Sequence, residues 1–459
     1  MRKTALASAA ALALMAGAGL AADRSGVDIA NADQAELSAA LASGKLTARD
    51  LLFGYMARID AIDRAESSSY SSASVARPAL PLRSVIALNP DSRQEAMAAD
   101  QRRRGGVMKG PLDGLPVLVK DNIETRDGVA TTAGSGALKD NVTGRDAPIV
   151  ARLRAAGVVI LGKTNLSEWA NIRSNNSISG WSAVGGQVRN PYALDRNACG
   201  SSSGSGAAVA AGLAWAAIGT ETDGSITCPA AINGIVGLKP TVGLLSRTWI
   251  VPISHSQDTP GPMTRTVRDA ALLLNAMAGS DPADAATKDA DAKKVDYTAG
   301  LKPDALKGVR IGVMRYAAGF HSGTDAEFEK ALKVLKAHGA TLVEVKEFPN
   351  GDKIGGDELT VLLTELKADL NSYLASTDPA KVKTRTLADV IAFNKENAPY
   401  EMPLFGQELF EKAELTKGLD DPDYIKARDE ARRLAGPAEI LGSRQPAPYW
   451  DGVAVAVAL

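Results

Sequence analysis

The sequence predicts an α/β fold, a mixed central β-sheet covered by helices on both faces, and three observations carry that expectation. Apolar runs of strand length stand at 84–88, 115–119 and 158–161. They are continuous rather than alternating, as in strands buried on both sides. Helical stretches such as 147–155 separate them. Farther on, 309–314, 324–338 and 341–345 read as strand, helix and strand, the logic of a βαβ unit.

Taken in order, the first residues stand apart. Arg2 and Lys3 precede an uncharged run from Thr4 to Ala22 that ends in small residues, the pattern of a cleaved secretory signal over 1–21. Export to the periplasm or the medium is expected. An uncleaved anchor helix is the alternative, although the run is short and rich in Ala and Gly rather than Leu and Ile. No later stretch is long and apolar enough to span a bilayer, so no membrane contact is expected after cleavage.

Residues 22–82 read as an N-terminal helical segment and loop. Apolar residues recur at helical spacing over 31–63, with Thr47 capping a helix over 48–60. The serine-rich 65–81, with Pro78 and Pro81, reads as a solvated loop. From 83 to 459 one large α/β domain is expected. Within it, 190–244 shifts toward Gly, Ser and Ala, so backbone must approach backbone, and 207–217 reads as a helix too small-sided for a surface. Thr266 and Asp269 are spaced as a capping box ahead of a helix over 266–277, and Thr324 and Glu327 cap the helix of the βαβ unit. Amphipathic helices at 357–374 and 387–394 mark a helical insertion around 352–435. The tail DGVAVAVAL reads as a strand.

Composition excludes several classes. With 45% hydrophobic, 23% charged and 5% aromatic residues, the chain is an ordinary globular protein, not a disordered or collagenous one. Its 52 basic and 53 acidic residues nearly cancel, so no nucleic-acid partner is expected. Two cysteines and three histidines (His255, His321, His338) are too few for zinc clusters or a disulfide framework, and neither metal nor cofactor is expected. Cys199 and Cys228 flank two serine loops. A disulfide is one reading in an oxidising compartment; two buried thiols are the expected one.

Three patterns look catalytic in isolation. Gly157 to Thr164 spells the phosphate-loop string, but its intervening residues are Val, Val, Ile and Leu. Stiff β-branched side chains build a strand, which leaves Lys163 and Thr164 in a post-strand turn. Gly200 to Gly204 spells G-x-S-x-G around Ser202, yet NPYALDRNAC before it is not the apolar strand that a nucleophile elbow follows.

The third pattern joins separate segments. Lys120 directly follows the strand 115–119, so its ammonium is carried to the edge of an apolar core, where desolvation lowers a lysine's pKa and can make it a base. On spacing alone, a snorkelling lysine is the plainer reading. Ser201 in a Gly/Ser loop and Ser225 in GTETDGSI give it company. A glycine-permissive turn can aim several backbone N–H groups at one spot, as an oxyanion hole requires. For ETDGS alone, a tight turn capped by Asp is the plainer reading. Neither loop holds a histidine, so the base for a serine must come from elsewhere, and a desolvated lysine can supply it.

These residues lie in the motifs GPLDGLPVLVKDNI (110–123), AGVVILGKTNLSEWA (156–170), CGSSSGSGAAVAAG (199–212) and IGTETDGSITCPAAINGIVGLKPT (218–241). Continued by SQDTPGPMTRTVRDAALLL (256–274), they make the span from about 83 to 279 resemble the amidase signature hydrolases, and within them the bacterial peptide amidases. The resemblance implies the amidase signature fold and a Ser-Ser-Lys triad. In it Ser225 is the nucleophile, Ser201 the bridging serine held by a non-proline cis peptide, and Lys120 the terminal base. It also implies an oxyanion hole built from the backbone N–H groups of Thr222, Asp223, Gly224 and Ser225.

Two departures from the family pattern follow. Glu221 and Asp223 stand where most members carry the Asp and the first Gly of TDxGGS. Asp223 is therefore a candidate substrate-binding residue, accepting from a substrate N–H and narrowing specificity to peptide-like amides. Members also continue past the strand corresponding to GVAVAVAL, and the tail from about Gly442 reads unlike them. The fold is thus expected to be truncated at its C-terminus, with an uncharged edge that invites aggregation. The expected protein is an exported, monomeric amidohydrolase of linear amides, peptide C-terminal amides first. Aryl or aliphatic amides are an alternative, as is a truncated inactive pseudo-amidase or amide-binding protein. A tRNA-dependent amidotransferase component shares the motifs, but the export signal argues against it.

Overall fold

The structure is a computed structural model that describes residues 26–64, 80–347 and 350–435, together with the backbone of 454–457. The expected signal over 1–21, the loop 65–79 and the rest of the tail lie outside the described residues.

Helix formation at the start follows the expected chemistry. Gln34–Ala42 begins at Asp33 and Ala48–Ile62 at Thr47, and each start closes a reciprocal capping box, with Glu36 and Asp50 respectively. Asp63, just past the second helix, is fully buried; its carboxylate accepts from the amides of Ser84 (2.7 Å) and Val85 (2.9 Å) and so moors this segment to the first strand.

The strands in chain order are β1 (Val85–Leu88), β2 (Pro116–Lys120), β3 (Val159–Thr164), β4 (Trp181–Ser182), β5 (Gly186–Gln187), β6 (Arg189–Asn190), β7 (Ala193–Asn197), β8 (Ala216–Glu221), β9 (Val236–Lys239), β10 (Thr259–Thr264), β11 (Arg310–Met314), β12 (Thr341–Val345) and β13 (Ala454–Val457). Among the described residues, seven form one sheet in the order β1-β3-β2-β8-β10-β9-β13. It is mixed: β3, β2 and β8 run parallel, and the remaining pairs are antiparallel. Every position of β2, β3, β8 and β10 is buried, which is why β2, β3 and β8 open on apolar runs, with the polar residues of these three strands at their C-terminal ends. The tail forms the expected strand, with Val457 opposite Val236.

Three local expectations need correction. Lys163 and Thr164 are the last residues of β3, not a turn. The lysine stays inside because Nζ donates to Ile123 O (2.6 Å) and Thr131 Oγ1 (2.8 Å), with Asp121 at 3.8 Å. The small-sided helix is Ser203–Ala210, not 207–217, and 216–217 open β8. Its serines fit because their hydroxyls find buried acceptors, such as Ile218 O for Ser205 Oγ (3.1 Å). A Cβ on Gly204 would stand 2.3 Å from Ser84 O and 2.4 Å from Asn165 O, so only glycine lets the helix start this close to the sheet. The helix Ser322–Ala337 begins at His321, whose side chain accepts from Thr324 N, so His321 and not Thr324 is the cap.

The chain divides into two compact units. One takes residues up to 294, 366–415 and β13; the other takes 295–365 and 416–435. The first holds the seven-stranded sheet. In the second, β11 and β12 pair in parallel across the helix Ser322–Ala337, as the βαβ pattern predicts, and Val361, Tyr424 and Ala427 form a small core. Among the described residues, no helix is long and apolar enough to cross a membrane.

Candidate active site

Parallel pairing of β2 with β8 brings the site together. Val119 lies opposite Ile218, so Lys120, one residue on, and Thr220, two residues on, meet beyond the paired region. Lys120 is fully buried. Its Nζ donates to Thr220 Oγ1 (2.8 Å) and Thr220 O (3.2 Å), and to Ser201 Oγ (2.7 Å). Ser201 follows a cis peptide bond from Gly200 and is itself fully buried. Neighbouring Ser202 is no elbow nucleophile: its Oγ donates to Thr220 O (3.0 Å) and accepts from Thr220 N (3.1 Å), fastening the serine loop to β8.

Ser225 stands where β8 runs through a turn into the helix Thr227–Ile232. Gly224 holds φ +78, a conformation that glycine adopts without strain. Glu221, buried, closes the turn from behind by accepting from Ile226 N (2.6 Å) and Thr227 N (2.8 Å). Ser202 N donates to Ser225 O (3.0 Å), so the two serine loops are hydrogen-bonded backbone to backbone. Among the described residues, the amides of Thr222, Asp223, Gly224 and Ser225 donate no hydrogen bond. Four free donors beside a serine hydroxyl can receive the oxygen of a polarised carbonyl.

Burial governs the electrostatics. It disfavours the ammonium of Lys120 and brings its pKa down to about 7, against the opposing pull of the carboxylates of Asp258 and Glu221. Near neutral pH the amine is therefore available as a proton acceptor. A cavity of about 350 Å³ adjoins the site, with Asn122, Thr220, Thr222, Trp249, Asp258 and Tyr373 among its lining residues. Asn122 Nδ2 donates to Thr220 Oγ1 (3.0 Å), linking the cavity wall to the partner of Lys120.

The structure thus joins Lys120 directly to Ser201 and sets Ser225 on the adjoining loop. Asp223 is exposed at the tip of the turn and does not line the cavity. Thr220, Asn122 and Asp258 were not singled out from the sequence. Thr220 had no signal beyond lying in the same motif as Ser225, since its role depends on strand register.

Cys199 and Cys228 are bonded, their Cα atoms 6.0 Å apart, which corrects the expectation of two free thiols. The pairing is possible because the hydrogen-bonded serine loops bring the residue before Gly200 and the third residue after Ser225 to bonding range. Closing 29 residues, it is expected to contribute about 3–4 kcal/mol by the chain-entropy argument. Cys199→Ser/Cys228→Ser is therefore expected to melt at lower temperature and to lose kcat several-fold, because the loops it staples carry both serines. Unchanged melting and kcat would show the bond to be incidental.

A protein-family model described as Amidase matches residues 72–434. A probable amidase of Arabidopsis thaliana is 46% identical over 352 residues, 74% of this chain and 67% of that protein. The chain spans less of two fungal putative amidases, 46% and 64% of their length. Among solved structures, the native peptide amidase from Stenotrophomonas maltophilia superposes with a TM-score of 0.82 at 51% identity, covering 89% of this chain and 80% of that one. An amidase family protein from Bacillus anthracis superposes with a TM-score of 0.80 at 36% identity, covering 93% of this chain and 81% of that one.

Proposed function

Since the chain belongs to the amidase family, we propose that it hydrolyses linear amides, peptide C-terminal amides first, through an acyl-enzyme formed on Ser225. The observation that carries this reading is the contact of a buried Lys120, whose pKa burial brings down to about 7, with Ser201, next to a turn whose four amides are free. Ser225 Oγ attacks the amide carbon as its proton passes to Ser201 Oγ, whose own proton moves to Lys120 Nζ. The amides of residues 222–225 hold the oxyanion. Return of a proton along the same route to the leaving nitrogen releases ammonia. Water, deprotonated by the same relay, then attacks the ester and frees Ser225 and the acid.

The likeness to a peptide amidase supports the substrate class. Export is part of the reading. The pattern at 1–21 supports it, and so does the Cys199–Cys228 bond, since disulfides persist in oxidising compartments. A monomer in the periplasm or the medium is the proposed form.

The test is ammonia release by the purified protein from peptide C-terminal amides, compared with aryl and aliphatic amides. The reading expects the highest kcat/KM on peptide amides. A cooperatively melting protein that releases nothing from any of them would overturn it. The same substrates test Asp223, proposed to accept a hydrogen bond from a substrate N–H: Asp223→Gly should erase the preference for peptide amides. Unchanged relative kcat/KM across the set would remove Asp223 from the site.

A further inference from the structure

The reading above leaves unexplained why a second carboxylate stands on the cavity wall beside the site, held by no cationic hydrogen-bond donor. Asp258 is half-buried and lies on the cavity wall, just ahead of β10. All its described hydrogen bonds come from neutral donors: Thr222 Oγ1 donates to Oδ1 (2.5 Å), and the amides of Ile253 (2.8 Å) and Ser254 (3.0 Å) donate to Oδ2. One oxygen therefore grips the loop that walls the cavity, and the other grips the first residue of the turn whose amides are free.

We propose that Asp258 is a positioning residue for amide hydrolysis: through Thr222 it fixes the oxyanion turn against the cavity wall, so that the amides of 222–225 and a substrate in the cavity keep one register. The proposal rests on the reading of that turn as the oxyanion hole. Glu221 anchors the far end of the same turn through the amides of Ile226 and Thr227, so its two ends are held by two carboxylates.

The carboxylate has an electrostatic consequence as well. Asp258 and Glu221 are the anions that favour the charged form of Lys120 against its burial. Around Asp258 itself, Asp369 disfavours its charge, while the nearby basic side chains are already engaged, Arg247 with Asp284 and His255 with Asp369. Burial brings the pKa of Asp258 up to about 6, so near neutral pH it remains mostly ionised.

The experiment compares wild type, Asp258→Asn, Thr222→Val and the double variant on one peptide amide, with melting curves for each. Asp258→Asn keeps the shape and removes the charge. It is expected to lower kcat by about tenfold to a hundredfold with KM within about twofold, and to move the acidic limb of kcat/KM to lower pH, because Lys120 loses a nearby anion. Thr222→Val is expected to lower kcat in the same way, and the double variant to be no worse than the poorer single one, since both cut the same link. A kcat within twofold of wild type and an unmoved limb in Asp258→Asn overturn the proposal, as do losses that multiply in the double variant. Should Asp258→Asn fail to fold, an undiminished kcat in Thr222→Val overturns it alone. Failure of the underlying reading looks different: Ser225→Ala would then be as active as wild type.

Discussion

Ser225→Ala is expected to lower kcat for amide hydrolysis by at least about 10⁴-fold while leaving the melting temperature unchanged. The fold should not notice the missing hydroxyl. The hydrogen bond that ties residue 225 to Ser202 uses its backbone oxygen, and the turn is held by Glu221 and Gly224 rather than by the serine side chain. The chemistry should notice it completely, because no other serine sits among the free amides of 222–225. Ser202 cannot substitute, since its Oγ is committed to both backbone groups of Thr220. Ser201→Ala should cost less, about 10²–10⁴-fold, because it interrupts proton transfer without removing the nucleophile. A rapid ammonia burst before the steady state, present in wild type and absent in Ser225→Ala, is the kinetic mark of the acyl-enzyme. An alanine variant at 225 with more than about a hundredth of wild-type kcat would transfer the nucleophile's role elsewhere.

The sequence revealed the parts of the site that depend on local chemistry and concealed those that depend on register. An unbroken apolar run ending in Lys120 carries an amine to the edge of the core, where snorkelling is the plainer reading on spacing alone; β2 instead buries it fully. Glycine-rich serine loops likewise announce turns with open amides. What the run of residues does not show is that β8 lies beside β2 and offers Thr220 to the same amine. The helix at Ser203 was misplaced by four residues because serines read as loop formers; in the fold their hydroxyls are absorbed by carbonyls such as Ile218 O. Lys163 was misplaced for a related reason, its buried partners coming from Ile123 and Thr131, 40 and 32 residues away. Cys199 and Cys228 had the same difficulty: pairing is a statement about distance, and only the joined serine loops supply it. Asp258 was invisible because its value lies in a loop folding back on a turn 36 residues earlier.

Lys120→Met is expected to abolish proton transfer and, unlike most losses of a buried polar group, to gain stability relative to wild type as the pH falls. Activity should drop by about 10³-fold or more, since no other base touches Ser201 Oγ among the described residues. In wild type, kcat/KM should rise through an acidic limb with its midpoint near the folded-state pKa of Lys120, about 7, because only the neutral amine can take the proton. The stability argument has the opposite orientation. In the unfolded chain the lysine keeps its ordinary pKa of 10.5, so between about pH 7 and 10.5 the unfolded state binds more protons than the folded one. Folding stability from this group therefore rises with pH across that window. Below it, both states are protonated and the folded protein carries the full cost of a buried ammonium. Methionine carries no such cost, although it forfeits the hydrogen bonds to Ser201 and Thr220. The melting temperature of Lys120→Met minus that of wild type should then decrease steadily from about pH 7 to pH 10, a difference in which the titration of every other group cancels. A difference that stays flat over that window, or a wild-type limb centred near pH 10, would mean that the amine is charged at neutral pH and that the proton of Ser225 goes to some other base.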